Sequence, residues 1–296
     1  MTGENARKFW LASFPRSGNT FVRNILFDVF GLESATFDID DHGGLLEEDY
    51  GNFPVVKTHM LPSRLIPYDP GIKAVYLVRD GRDAMVSIAH HRSDIITPGS
   101  DFIANMQAAI YAEKGSFFGG WSKNVSEWIQ RADLVIRYED LITDTIGCME
   151  KIRLLAGLPE GDYSRIPGFE ALKFGIPKYG AGRDHAMTEK EKRELAQKNF
   201  RKGRAGGWKE EMPEELHNLF WSIHGEVMLK LGYQYNGSLT PIHDVDFDWE
   251  LIPKLGDPLA AVAPANHKER IRVTIEAEKL LTPVNDGVKR YQAMLL

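Results

Sequence analysis

Four short segments hold side chains able to grip an anion. Phe14-Pro15-Arg16-Ser17-Gly18-Asn19-Thr20 is a loop of turn residues with one cation and several donors. Val56-Lys57-Thr58-His59 sets an ammonium and an imidazole two residues apart. Arg79 opens the run Arg79-Asp80-Gly81-Arg82-Asp83, and Ser87 follows on the next apolar stretch. Much later, the stretch from Phe200 to Lys209 combines Arg201, Lys202, Arg204 and Lys209 with Gly203, Gly206 and Gly207, a flexible cationic loop. The first segment is the most informative because of its flanks. Phe9-Trp10-Leu11-Ala12 suits a buried strand, and Phe21, Val22, Ile25, Leu26, Val29 and Phe30 recur at helical spacing up to a C-cap glycine, Gly31. Strand, small polar loop and helix aim backbone N–H groups and a helix N-terminus at one point, which favours a phosphate.

The loop departs from the triphosphate-binding pattern G-x-x-x-x-G-K-[ST]. No lysine precedes Thr20 and no second glycine is present. The strand Lys73-Ala74-Val75-Tyr76-Leu77-Val78 ends on Arg79, a cation, where a magnesium-triphosphate enzyme would want an aspartate. These features predict an anion held by cations and amides, with no metal site.

Three further stretches read as strands. Pro54 to Lys57 is short, Lys73 to Val78 is cleaner, and Asp133 to Tyr138 is a third buried run after the opening one. Helices are expected from Ala84 to Arg92, from Trp121 to Arg131, from Glu139 to about Ala156, from Glu189 to Asn199, and from near Pro213 to about Leu231. Trp121 and Trp128, seven apart, share a helix face. Strands followed by helices imply a P-loop-type three-layer α/β fold, a central parallel sheet flanked by helices with ligands at the carboxyl ends of the strands. Arg16, Lys57, His59, Arg79 and Tyr138 all fall at or just after such ends.

Composition narrows the setting. The chain has 296 residues, 43% hydrophobic and 26% charged, as in an ordinary globular protein. A net charge of −6 argues against general nucleic-acid binding. One cysteine, Cys148, excludes an internal disulfide and reads as a small apolar side chain on a helix. No run approaches the roughly 18 apolar residues of a membrane span, and residues 1–8 carry no signal-peptide core, so a cytoplasmic protein is expected.

Taken in order, the motifs resemble those of the sulfotransferases that use 3′-phosphoadenosine 5′-phosphosulfate (PAPS). Phe14 to Phe21 is similar to their 5′-phosphosulfate loop, with Arg16 where lysine is usual. Leu77-Val78-Arg79-Asp80-Gly81-Arg82-Asp83-Ala84-Met85-Val86-Ser87 is similar to their 3′-phosphate motif. Val56 to His59 looks like the strand bearing their catalytic histidine. Arg201 to Lys209 is similar to their RKGxxGDWK loop, with Gly207 replacing aspartate, and Tyr138-Glu139-Asp140-Leu141 completes the set. The matches run from about Phe9 to Lys209.

The resemblance implies PAPS as co-substrate, no metal requirement, and specific roles. Arg16, Ser17, Gly18, Asn19 and Thr20 would hold the 5′-phosphosulfate. Arg79, Ser87, Arg201, Lys202 and the Gly203 amide would hold the 3′-phosphate. Phe21 and Phe169 would wall the adenine and Tyr138 would contact it. His59 would act as general base toward a hydroxyl or amine, with Lys57 and Arg16 countering charge on the transferring group. Arginine at position 16 acts by charge and hydrogen bonding, because guanidinium keeps its proton. His90 and His91 are expected at the surface or lining the pocket, and Asp80, Arg82 and Asp83 in local contacts at a helix start. Arg204 and Lys209 are read equally as solvated or bound.

A P-loop nucleotide or small-molecule kinase is the first alternative, and a non-catalytic nucleotide-binding protein the second. Residues 38 to 52 are read as a solvated acidic loop. With 93 to 120 and the C-terminal segment they are expected to shape the pocket of a small-molecule acceptor. The division expected is a domain over 1–235 and an extension over 236–296. That extension would wrap the domain or, through a last helix bearing Val284, Val288, Tyr291 and Leu295, pack on a second copy as a homodimer.

Overall fold

Five strands form one sheet, every pair parallel, in the order β2-β3-β1-β4-β5. They are β1 (Phe9–Ser13), β2 (Ser34–Phe37), β3 (Val55–Thr58), β4 (Lys73–Val78) and β5 (Leu134–Arg137). The computed structural model describes residues 8–38, 49–65, 71–112, 118–182 and 186–241. The expected C-terminal wrap from 242 onward and the last helix lie outside the described residues.

The two-residue period of the strands divides the core. Phe9, Leu11, Val55, Val75, Leu77 and Ile136 point to one face, against α1 (Asn19–Phe30) and, over β4 and β5, helix α6 (Thr145–Ala156). Trp10, Ala12, Val56, Tyr76 and Val78 point to the other. There they meet α2 (Gly81–His91), α3 (Phe102–Ile110), α4 (Trp121–Arg131) and α10 (Glu214–Lys230). Helices on both faces of a parallel sheet make the expected three layers. Strand β1 sits at the centre, so the loops after β1, β3 and β4 emerge side by side at the crevice where such sheets bind ligands.

Several elements sit as the sequence predicts. α4 spans Trp121–Arg131, with Trp121 and Trp128 both buried on the sheet-facing side. Its role is specific: Trp128 Nε1 donates to the Met60 carbonyl (2.8 Å), and Asn124 Nδ2 donates to the His59 carbonyl (3.0 Å). That helix therefore pins two successive carbonyls, those of His59 and Met60. Helix α8 (Glu189–Asn199) starts at a Thr188 and Glu191 capping box. Cys148 packs in the core of α6, and burial pushes its thiol up to about 11.

Three features differ from expectation. β2 was invisible in the sequence, because Ser-Ala-Thr-Phe carries little apolar signal; its pairing with β3 and burial in the fold hold it in the sheet. The helix expected from Glu139 to Ala156 is two, α5 (Tyr138–Thr143) and α6. Asp144 leaves helical geometry between them and its side chain accepts the Gly147 N–H at 2.9 Å, capping the second. Tyr138 consequently opens a helix and does not end a strand. Two short helices were not expected: α9 (Trp208–Glu211), which follows the cationic loop directly, and α7 (Phe169–Phe174), whose Phe169 lies against Gly203 of that loop.

Candidate active site

The loop after β1 turns through two residues of positive φ, Arg16 (66°) and Gly18 (96°), before α1 begins. Gly18 is the N-cap of α1 and offers no side-chain acceptor, and no acidic residue lies in the first turn. The helix N-terminus thus keeps its positive end for an external anion. A Cβ on Gly18 would lie 2.7 Å from Cδ2 of Tyr138, so glycine is required both for the backbone angle and for the ring beside it. Asn19 braces the loop through bonds from Nδ2 to the Leu11 carbonyl (3.1 Å) and Ser13 Oγ (3.2 Å).

His59 lies just past the end of β3, 3% exposed, with its ring edge-on to Phe118. Its Nδ1 is 2.7 Å from the Ser13 carbonyl oxygen. A carbonyl can only accept, so Nδ1 carries the hydrogen and Nε2 keeps a lone pair. Burial, then the charges of Lys57, Arg16 and Arg23, hold the imidazole well below its ordinary range against the opposing bond to Ser13. His59 is a neutral base with a fixed tautomer. Beside it the Lys57 ammonium pairs with Asp38 Oδ2 at 3.0 Å, both side chains buried, and Asp38 Oδ1 lies 3.5 Å from the His59 N–H. Asp38 corrects the reading of residues 38 to 52 as a solvated loop: at 2% exposure it is an interior counter-charge, placed there by β2.

A cleft of about 280 Å³ gathers these groups with the distant segments. Arg16, Gly18, Asn19, Thr20, Phe21, Lys57, His59, Arg79, Ser87, Tyr138, Phe169, Arg201, Lys202 and Gly203 all line it. Ser17 does not: its side chain is buried, and its hydroxyl has no hydrogen-bond partner among the described residues. Arg79 crosses the cleft floor. Its guanidinium stacks 4.4 Å over the Tyr138 ring and donates to the Arg16 carbonyl (3.2 Å) and the Arg204 carbonyl (3.0 Å). The Arg16 side chain reaches away from its own loop, donating from Nε to Ser87 Oγ (3.1 Å) and from its amino groups to Oδ1 and the carbonyl of Asn199 (3.2 and 2.8 Å). It therefore ties the β1 loop to α2 and to the end of α8. Phe169 stands over Gly203, whose φ is 61° and whose missing Cβ would meet that ring at 2.3 Å.

Expected local contacts at the start of α2 are present: Asp80 caps it, and Arg82 is buried against Asp80 at 2.7 Å. Asp83 does more, accepting the Gly206 and Trp208 N–H groups (2.7 and 2.8 Å) and so docking the cationic loop beside Arg79. His91 is buried, not superficial, while His90 bonds Glu211 at 2.6 Å. Arg204 lines the cleft. Arg23 was missed. It is a buried cation lining the cleft, bonded to Ser34 and stacked 4.0 Å over Tyr179. Its only sequence signal is a charge among the apolar residues of α1. Asn199 and Phe200 also line the cleft, as does Thr145, where the break before α6 exposes it.

Among the described residues, no group of three or more His, Cys, Asp or Glu side chains is gathered as metal ligands. No helix among them is long and apolar enough to cross a membrane.

Comparison with known proteins agrees with this geometry. A family profile described as "Sulfotransferase domain" matches residues 6–232. The chain is 22% identical over 236 residues to a 3-beta-hydroxysteroid sulfotransferase of Cavia porcellus, covering 73% of this chain and 82% of that protein. It is 26% identical over 243 residues to Sulfotransferase 1E1 of Mus musculus, covering 71% and 79%. Among solved structures, a mouse sulfotransferase complexed with PAP superposes with a TM-score of 0.58 at 21% identity, over 75% of this chain and 84% of that one. A retinol dehydratase in complex with androsterone and PAP gives a TM-score of 0.54 at 20% identity, over 75% and 80%. Both structures share the fold.

Proposed function

This chain belongs to the sulfotransferase domain family, and from that membership we propose that its cleft binds PAPS and that the enzyme transfers the sulfuryl group to a hydroxyl or amine of a small-molecule acceptor. One observation carries the reading. A single cleft joins a neutral, tautomer-fixed His59 to a helix N-terminus without a side-chain cap and to a separate group of cations at Arg79, Arg201 and Lys202. That arrangement suits a ligand with two anionic ends and a reacting centre near the imidazole. The fit is supported by a buried donor of a cleft-lining residue that has no partner among the described residues, the Arg79 Nε–H. An unsatisfied buried donor costs about 1–3 kcal/mol, which a bound anion would relieve.

PAPS, when bound, supplies a sulfuryl group already attached to a phosphate leaving group. The protein's share is positioning, charge and proton transfer. The α1 N-terminus and residues 16–20 hold the 5′ end, Phe21 and Phe169 offer ring faces to the adenine, and Tyr138 makes a polar contact with it. Arg79, Ser87, Arg201, Lys202 and the Gly203 amide hold the 3′-phosphate. His59 Nε2 takes the acceptor's proton, and the resulting imidazolium is steadied by the Ser13 carbonyl on Nδ1. Lys57 and Arg16 offset negative charge near the transferring group, with Asp38 holding the Lys57 ammonium in place. Transfer is proposed to run without a metal, as for displacements that depend on positioning and cations.

The pH dependence follows from His59. A base whose pKa lies well below 6.5 stays unprotonated as the pH falls through 6.5. The kcat/KM profile is therefore expected to be level through that region and to fall only at distinctly lower pH. An acid limb centred at or above 6.5 that disappears on His59 substitution would contradict this. The activity itself is tested by incubating the protein with labelled PAPS, in the presence of a chelator, and a panel of small hydroxyl and amine acceptors. Label moving to an acceptor supports the proposal. Phosphoryl transfer from ATP with magnesium, and none from PAPS, would favour a kinase.

A further inference from the structure

The 3′-phosphate end of the cleft has its cations already engaged. Glu211, the last residue of α9, takes the Arg201 guanidinium as a two-pronged fork, with both N···O distances 3.0 Å. The same carboxylate accepts the Lys202 ammonium at 2.6 Å and His90 Nε2 at 2.6 Å. Glu210 accepts Lys202 at 3.2 Å and also pairs with Arg204. Asp83 lies 3.6 Å from Arg79. So each of the four cations at this end, Arg79, Arg201, Lys202 and Arg204, faces a carboxylate of the chain itself. Burial would raise the Glu211 carboxyl, but the bonds from Lys202, Arg201 and His90 outweigh it and hold the group at about 2. It is ionised at every pH at which the enzyme would work.

A phosphate arriving here meets donors already in charge-assisted bonds. We propose that Glu211 is an internal competitor for the nucleotide's 3′-phosphate: its carboxylate holds Arg201 and Lys202 in the free enzyme, yields them to the phosphate on binding, and so sets how tightly nucleotide is held and how fast it leaves. A phosphate dianion, with three acceptor oxygens and up to twice the charge, can displace one carboxylate from a fork and an ammonium. Glu211 does not line the cleft, whereas Arg201 and Lys202 do, so the exchange needs only that these two side chains turn. His90 keeps the released carboxylate hydrogen-bonded while the cations are away. This inference rests on the PAPS reading above.

The test is a calorimetric titration of wild-type and Glu211→Gln protein with adenosine 3′,5′-bisphosphate and with adenosine 5′-monophosphate. Glu211→Gln keeps the shape and removes the competing charge. It is expected to bind the bisphosphate about tenfold more tightly and to release it correspondingly more slowly in stopped-flow chase, since affinity changes of this kind fall mostly on the off-rate. Monophosphate affinity is expected to stay unchanged. Glu211→Ala, which leaves no side-chain oxygen on Arg201, is expected to shift in the same direction. Equal or weaker bisphosphate binding in both variants would overturn the proposal, showing that Glu211 organises the cations and does not compete for them. Failure of the wild-type protein to bind the bisphosphate would instead remove the PAPS reading, and is seen without any variant.

Discussion

Replacing His59 with alanine is expected to lower turnover by about two to four orders of magnitude, the usual contribution of a positioned base, while affinity for adenosine 3′,5′-bisphosphate stays near that of the wild type. The two readouts separate because the imidazole serves the acceptor's proton, whereas the nucleotide is gripped by the β1 loop, Arg79 and the loop at 201–203. The fold should tolerate the change. The His59 carbonyl stays bonded to Asn124, and Trp128 still holds the Met60 carbonyl (3.0 and 2.8 Å). A thermal melt checks this, and some loss of stability is expected because the Ser13 carbonyl loses its donor. Turnover close to that of the wild type would end the assignment of His59 as the base.

Gly18→Val is the second large effect. At φ 96° a β-branched residue is strained, by about 1–2 kcal/mol for the left-handed backbone alone. Its Cβ would also fall 2.7 Å from the Tyr138 ring, which is buried and covered by Arg79. Either the loop or the ring must move, and both belong to the nucleotide site. Bisphosphate affinity is expected to fall by at least about tenfold, some 1.4 kcal/mol, with the helical content of the protein preserved. Unchanged affinity would mean that the α1 N-terminus is not where the nucleotide's 5′ end lies.

Much of this site could be read from the chain because its parts are local. A strand, a turn-residue loop and a helix are recognisable within 22 residues, from Phe9 to Phe30, and the structure places β1 and α1 there. Each of Lys57, His59 and Arg79 lies at or just after a strand end whose apolar run is visible, and Ser87 sits on the helix that follows β4. The parts that escaped are those whose meaning depends on distant partners. Asp38 sits in an acidic run that looks solvated; only β2, itself too polar to notice, carries it to Lys57. Arg23 looks like a surface charge on a helix until Ser34 and Tyr179 close over it. Glu211 lies nine and ten residues from Lys202 and Arg201 along the chain, and the short helix α9 folds it back onto both. Asp144 shows the limit from the other direction: a local cap residue split a helix whose apolar pattern ran on without a break.

The proposed function requires one cleft built for a nucleotide with separate 5′ and 3′ anionic ends. Calorimetric titration of the wild-type protein with adenosine 3′,5′-bisphosphate in the presence of a chelator tests it most directly, with adenosine 5′-monophosphate and magnesium-ATP titrated alongside. The expected result is one bisphosphate bound per chain without metal, and markedly weaker binding when the 3′-phosphate is absent, because Arg79, Arg201 and Lys202 then have no partner on the ligand. Tight binding of magnesium-ATP with no detectable binding of the bisphosphate would contradict it.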